Sequence, residues 1–184
     1  MVCGNHEFYG NERDYVLRRL RNLERHASNF HFLENNIVTI DDQRFIGTTL
    51  WFADDPMNQL HEHKMNDFWS IPKFHSWNYQ VANEAKKFLT ENMQPHDIVV
   101  SHHLPSNQLV QGEYKTNVLN RFFVHDCERL ITTYIPKLWC FGHTHTTVNE
   151  QIGDTKFLAN PRGYPREHRL DMSENRNFNS ELTI

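Results

Sequence analysis

The chain has 184 residues, enough to bury a hydrophobic core of one domain, and a formal net charge of -4 at pH 7. Apolar residues make up 38%, with no run near the ~20 needed to span a bilayer, and the acidic balance argues against a nucleic-acid binder with a broad basic surface. Three widely spaced cysteines, Cys3, Cys127 and Cys140, form no C-x-x-C pair, which favours reduced thiols over a disulfide framework, and no secretory leader is recognisable, so the expected compartment is the cytoplasm.

In chain order, Asn11 is placed to cap a helix from about Glu12 to His26, whose apolar stripe is Tyr15, Val16, Leu20 and Leu23. "NIVTI" and "QRFIGTTLWF" read as two strands joined by a turn at Asp41, Asp42 and Gln43. The stretch from Asp54 to Ser76 is polar and rich in aromatics, with no period that assigns it; Asp54-Asp55 reads as an acidic turn. Trp51, Phe68, Trp69 and Phe74 read as core rather than as a stacking platform. Trp77 to Met93 is predicted helical, with Val81, Ala85, Phe88 and Leu89 on one face. "HDIVVSHHLPS" is a buried strand running into two histidines, "HDCERLITTYI" a helix, and "KLWCFGHTHTT" a second strand ending in histidines. "TVNEQI" and "TKFLAN" form a hairpin around Gly153-Asp154, ahead of "NPRGYP", and the tail after about Arg169 is expected to be irregular.

Histidine is abundant, 13 residues against 19 Lys plus Arg. His26, His31, His75 and His168 have no partner pattern and read as surface or packing residues, and His61 and His63 as a solvated face. Others fall where chemistry gathers, because loops at the carboxyl ends of strands in α/β proteins leave a crevice for ligands. His143 and His145 lie two apart in "GHTH", so in extended backbone both imidazoles face one side, and Gly142 permits a sharp turn before them. His102 or His103 arrives from another strand end, and "GNHE" near the start offers the Asn5 amide oxygen and the His6 ring. Imidazole and oxygen donors without a thiolate suit borderline divalent metals such as Mn, Fe, Zn, Co or Ni.

The ordered series GNHE, strand-HH and GHTH, with "FIGTTLW" and "NPRGYP", resembles the calcineurin-like metallophosphoesterases, in particular single-domain bacterial and phage members, over Gly4 to about Arg166. That family's motifs are D-x-H, GD, GNH, a histidine after a strand, and GHxH; only the last three are matched. No D-x-H occurs, and the one Gly-Asp, Gly153-Asp154, lies in the late hairpin. The resemblance implies an α/β fold, a two-sheet β-sandwich flanked by helices but truncated by its first β-α-β unit, in a single domain spanning residues 1–184.

It also implies a hydrolase of phosphomonoesters or phosphodiesters that works through a hydroxide held by two divalent ions, with nucleic acid entering only as a substrate. By resemblance Asn5, His102 (preferred to His103) and His143 hold one ion, His145 contributes to the other, and His6 stabilises or protonates the leaving group. Arg162 and Tyr164 are weaker substrate-side candidates. The alternative is an inactive remnant, or a subunit that binds one metal or a partner chain supplying D-x-H and GD. Missing strands would expose apolar sheet edges and favour a partner or oligomer. No membrane association is expected.

Overall fold

In the computed structural model, which describes residues 1–164, 175 and 177–182, six strands form one mixed sheet in the order β1-β2-β3-β4-β6-β5. The expected irregular tail after Arg169 falls largely outside the described residues, as does the end of the family resemblance at Arg166. Strands β1 (Asn36–Ile40) and β2 (Gln43–Thr48) pair antiparallel. Ile40 faces Gln43 directly, so the turn is the pair Asp41-Asp42 alone, both at positive φ (47° and 62°) as a two-residue hairpin turn demands. The second strand is shorter than the apolar run suggests. It stops at Thr48 because Leu50 turns into the left-handed region (φ 55°), which sends Trp51 and Phe52 into a separate cluster.

From β2 the chain crosses through α2 (Asp67–Ser70) and α3 (Asn78–Asn92) to β3 (Ile98–Ser101), which is parallel to β2. It then crosses through α4 (Glu128–Tyr134) to β4 (Leu138–Cys140), parallel to β3. The hairpin of β5 (Val148–Ile152) and β6 (Thr155–Ala159) closes the sheet, with β6 parallel to β4. The register matches Thr48 with Ser101 and Val100 with Cys140, so β2, β3, β4 and β6 deliver their following loops to one end of the sheet. This crevice receives His102, His143 and Tyr164.

One face of the sheet is covered by α3 and α4. Ile46, Val99, Trp139 and Phe157 pack there with Leu89, Met93, Leu130 and Ile131. The predicted stripe of α3 is correct in kind: Val81, Ala85 and Leu89 are buried and Phe88 is half-buried. The opposite face carries Ile98, Leu138 and Leu158 with Phe45, Val100 and Cys140. The mixed α/β architecture is the expected one. All strands among the described residues belong to a single sheet, so the second sheet of a sandwich has no counterpart there. Of the two edge strands, β5 turns Asn149, Glu150 and Gln151 to solvent, while β1 leaves Ile40 exposed.

The first helix, α1, spans Arg13–His26. Two expectations for it need correction. Asn11 does not cap it, because its side-chain amide donates to the Tyr9 carbonyl (2.9 Å) and the N-cap position falls on Glu12. Of the stripe, only Val16 is buried, and Tyr15 and Leu23 are 44% and 48% exposed. Amphipathic spacing identifies which residues share a face, not which face finds a neighbour.

The aromatic stretch from Asp54 to Ser76 folds into short 3-10 turns and α2. It builds a second core in which Trp51, Phe52 and Phe74 meet Phe8, Val81 and Phe122. Trp69 is the exception to the core expectation: it sits on the surface at 75% exposure. Asp55 is a turn residue as read, accepting from the Met57 amide at 2.7 Å. No helix among the described residues is long and apolar enough to cross a membrane.

Candidate functional site

The site is built where four chain segments end at one edge of the sheet. Met1 to Cys3 run beside residues 31–33, held by Met1 N donating to the His31 carbonyl (2.7 Å) and Leu33 N to the Met1 carbonyl (2.8 Å). The chain then turns into a 3-10 helix, Asn5–Phe8, whose start is held by the Gly4 amide donating to Glu7 Oε2 at 2.6 Å. This places the buried Asn5 side chain under the ends of β3 and β4.

His102 and His103 follow β3, and both backbone amides donate to the Thr49 carbonyl. The rings diverge from there. His103 is fully buried, directs Nδ1 to the same Thr49 carbonyl at 3.2 Å, and packs against Trp51 and Phe52. His102 turns toward Asn5. His143 reaches it from the β4 loop by adopting φ 62°, a left-handed conformation that costs a non-glycine residue about 1–2 kcal/mol. Its ring is seated against Phe123, with centroids 4.4 Å apart.

Two short contacts therefore share one atom, His102 Nε2. His102 Nε2 lies 3.0 Å from Asn5 Oδ1 and 3.1 Å from His143 Nδ1. With Nε2 unprotonated, His143 Nδ1–H can donate to it, but the Asn5 contact then sets two lone pairs against each other. A cation relieves that conflict, and adjacent donors about 2.1 Å from a six-coordinate ion stand roughly 3.0 Å apart. The rings also carry the right charge. Burial, with His6 and His145 adding like charge, pushes His102 down to about 3. Burial and the neighbouring histidines hold His143 well below the usual range. Both are thus neutral imidazoles near pH 7, the form that ligates. The donor set fits one divalent ion through two imidazoles and an amide oxygen. Among the described residues no three His, Cys, Asp or Glu side chains converge on a metal position, so the grouping depends on Asn5.

Around this trio the glycines are matched to the imidazole. A Cβ on Gly4 would stand 2.7 Å from His102 Cε1 and 2.9 Å from its Nδ1, and one on Gly142 3.2 Å from Nδ1. Gly4→Ala is therefore expected to push His102 off Asn5 and weaken divalent-ion binding about 10-fold or more, as loss of ligand orientation does. Calorimetric titration with Mn2+ checks this, and unchanged affinity would show that the ring is not wedged.

His6 and His145 lie outside the trio. His6 is exposed, stacks on Tyr9 (centroids 4.3 Å apart, 20° between planes), and has Nε2 2.8 Å from the Tyr164 hydroxyl. His145 packs edge-on against the same Tyr164 ring at 4.7 Å. Tyr164 thus spans the two exposed histidines. Arg162 is exposed and its carbonyl accepts from the Asn175 amide (3.4 Å), with no side-chain contact to the histidines among the described residues.

Two residues at the site escaped the sequence reading. Asp67, at the start of α2, is 1% exposed, and its Oδ1 accepts from Asn5 Nδ2 (2.8 Å) and from the Tyr9 hydroxyl (2.7 Å). Burial raises its pKa, against the two hydrogen bonds that lower it. Tyr9 is the second, linking Asp67 to the His6 stack. Neither carries a periodic signal, because each acts across some sixty residues of chain.

No family model matches the chain. It is 26% identical over 192 aligned residues to an uncharacterised protein of Acanthamoeba polyphaga mimivirus, covering 90% of this chain and 68% of that protein. Among solved structures it resembles a phosphopantetheinyl hydrolase from Mycobacterium tuberculosis, with TM-score 0.65, 15% identity, and 89% and 68% of the two chains covered. A 5'-nucleotidase-like structure from Staphylococcus aureus aligns at TM-score 0.42 and 18% identity over 87% and 31% of the chains, too distant to bear on the fold. The chain thus shares its α/β fold with a hydrolase.

Proposed function

We propose that this chain is a metal-dependent phosphoesterase that hydrolyses a phosphomonoester or phosphodiester. The observation that carries the reading is His102 Nε2 standing 3.0 Å from Asn5 Oδ1 and 3.1 Å from His143 Nδ1 at the strand ends of a fold shared with a hydrolase. Asn5, His102 and His143 would hold one divalent ion (Mn, Fe, Zn, Co or Ni), and His145 would contribute to a second. Bound there, divalent ions supply Lewis acidity toward the phosphoryl oxygens and lower the pKa of a water.

The chain's own residues orient and move protons. Asn5, His102 and His143 would hold the ion that a phosphoryl oxygen meets. His6, exposed at the rim, is the proton donor to the departing oxygen, a role typically worth about 10²–10⁴-fold in rate. The Tyr164 hydroxyl at 2.8 Å orients that imidazole or exchanges a proton with it. Arg162, exposed on the loop after β6, is a candidate for substrate phosphate. Three widely spaced cysteines without a C-x-x-C pair are the basis for placing the chain in the cytoplasm.

A second reading has its own observation: no carboxylate joins the trio among the described residues. The chain then holds one ion, and a partner polypeptide supplies the D-x-H and GD carboxylates. One experiment separates the two: hydrolysis of p-nitrophenyl phosphate and its bis-ester with Mn2+, with His143→Ala as control and bound metal measured in parallel. Hydrolysis that disappears in the variant supports the enzyme. About one bound ion without hydrolysis favours the subunit, and neither metal nor hydrolysis overturns both.

A further inference from the structure

We infer that Asp67 is a positioning residue for the candidate metal site, a hydrogen-bond acceptor that locks the Asn5 amide so that its oxygen, not its nitrogen, faces His102. The inference rests on the metal-site reading for its consequence, but the orientation itself is a property of the chain. An asparagine side chain presents either atom with almost the same shape, so something must decide between them. Here the deciding group is a carboxylate oxygen. Asp67 Oδ1 accepts from Asn5 Nδ2 at 2.8 Å, and an ionised carboxylate has no proton to offer an amide oxygen. Flipping Asn5 would set two acceptors against each other at Asp67 and aim an N–H group at His102 Nε2, where a cation would need a lone pair.

The same oxygen also takes the Tyr9 hydroxyl (2.7 Å), and Tyr9 carries the stacked His6 ring. One carboxylate oxygen thus orients a candidate ligand and, through an aromatic stack, the candidate proton donor. Backbone geometry ties the two elements together, since the Gly10 amide donates to the Ser70 carbonyl at the other end of α2 (2.7 Å).

The arrangement is poorly explained as a device for stability. Asp67 is buried, its Oδ2 has no hydrogen-bond partner among the described residues, and both donors crowd onto Oδ1. A buried, partly satisfied polar group is a cost that packing alone would not maintain.

The test compares Asp67→Ala, Asp67→Asn and Tyr9→Phe in the full chain by Mn2+ titration and by the side-chain amide signals of Asn5 in NMR spectra. Asp67→Asn keeps an acceptor oxygen in place and replaces the unpartnered Oδ2 with an amide nitrogen. It should hold metal affinity within about 3-fold and preserve the slowly exchanging Asn5 amide signal. Asp67→Ala should weaken Mn2+ binding about 10–100-fold, the range for lost outer-shell partners, and expose the Asn5 amide to exchange. Tyr9→Phe should leave both nearly unchanged. Wild-type affinity and a protected Asn5 amide in Asp67→Ala would overturn the inference, as would Asp67→Asn behaving like Asp67→Ala. Should the wild-type chain bind no Mn2+, the metal-site reading fails by itself, and the amide signals still decide whether Asp67 orients Asn5.

Discussion

His102→Ala is expected to weaken divalent-ion binding by at least about 100-fold, beyond the ~10–100-fold range for outer-shell losses, and to remove any phosphoesterase activity. His102 Nε2 is the atom shared by both short contacts of the trio, so its loss leaves only Asn5 Oδ1 and His143 Nδ1. Two donors make a weak anchor for a hydrated ion. His103→Ala is the informative companion. That ring is fully buried against Trp51 and Phe52 and points Nδ1 at the Thr49 carbonyl. Its truncation should cost about 2–4 kcal/mol of stability, as large-to-small core changes do, while leaving metal affinity within a few-fold. Mn2+ titration and urea unfolding of both variants check this. The opposite pattern, with His103→Ala losing the ion and His102→Ala retaining it, would exchange the two assignments.

Acid should unfold this protein unusually early. Burial pushes His102 down to about 3 and His125 to about 4, and holds His103 and His143 well below the usual range. In the unfolded chain these rings take up protons as pH falls through about 6.5, while the folded chain refuses them. The unfolded state therefore binds more protons between about pH 6.5 and 4, and folding stability rises with pH across that window. The buried carboxyls of Glu34 and Asp67, both raised mainly by burial, act in the opposite sense. A net two to four protons corresponds to roughly 3–5 kcal/mol per pH unit, against a typical total of about 5–15. Stability should therefore fall steeply as pH drops below about 6.5. A divalent ion held by neutral imidazoles shifts stability in the same direction, because protons compete with it. Urea unfolding at pH 7, 6 and 5.5 measures the slope, and equal stability at all three would show that the rings are solvated.

What the sequence determined by itself is the local part. β-branched and aromatic runs bounded by turn residues marked the strands Ile98–Ser101 and Leu138–Cys140, and helical periodicity marked Asn78–Asn92. The order of those elements, strand then histidine twice over, was enough to put His102 and His143 at strand ends, because each is covalently joined to the strand that carries it. Only the tertiary structure decided which groups meet. Parallel register across β2, β3, β4 and β6 brings their carboxyl ends to one crevice. The Thr49 carbonyl holds the His103 ring inward and leaves His102 toward Asn5. Asp67 belongs wholly to this second class. It lies in a stretch without period, and its partner Asn5 is 62 residues away. Pattern in a sequence reports the environment of one element's face, and α1 shows the limit: its stripe leaves Tyr15 and Leu23 in solvent because coverage depends on what packs against it. A hydrogen bond between distant loops leaves no such pattern, because it is set by where the folded sheet delivers them.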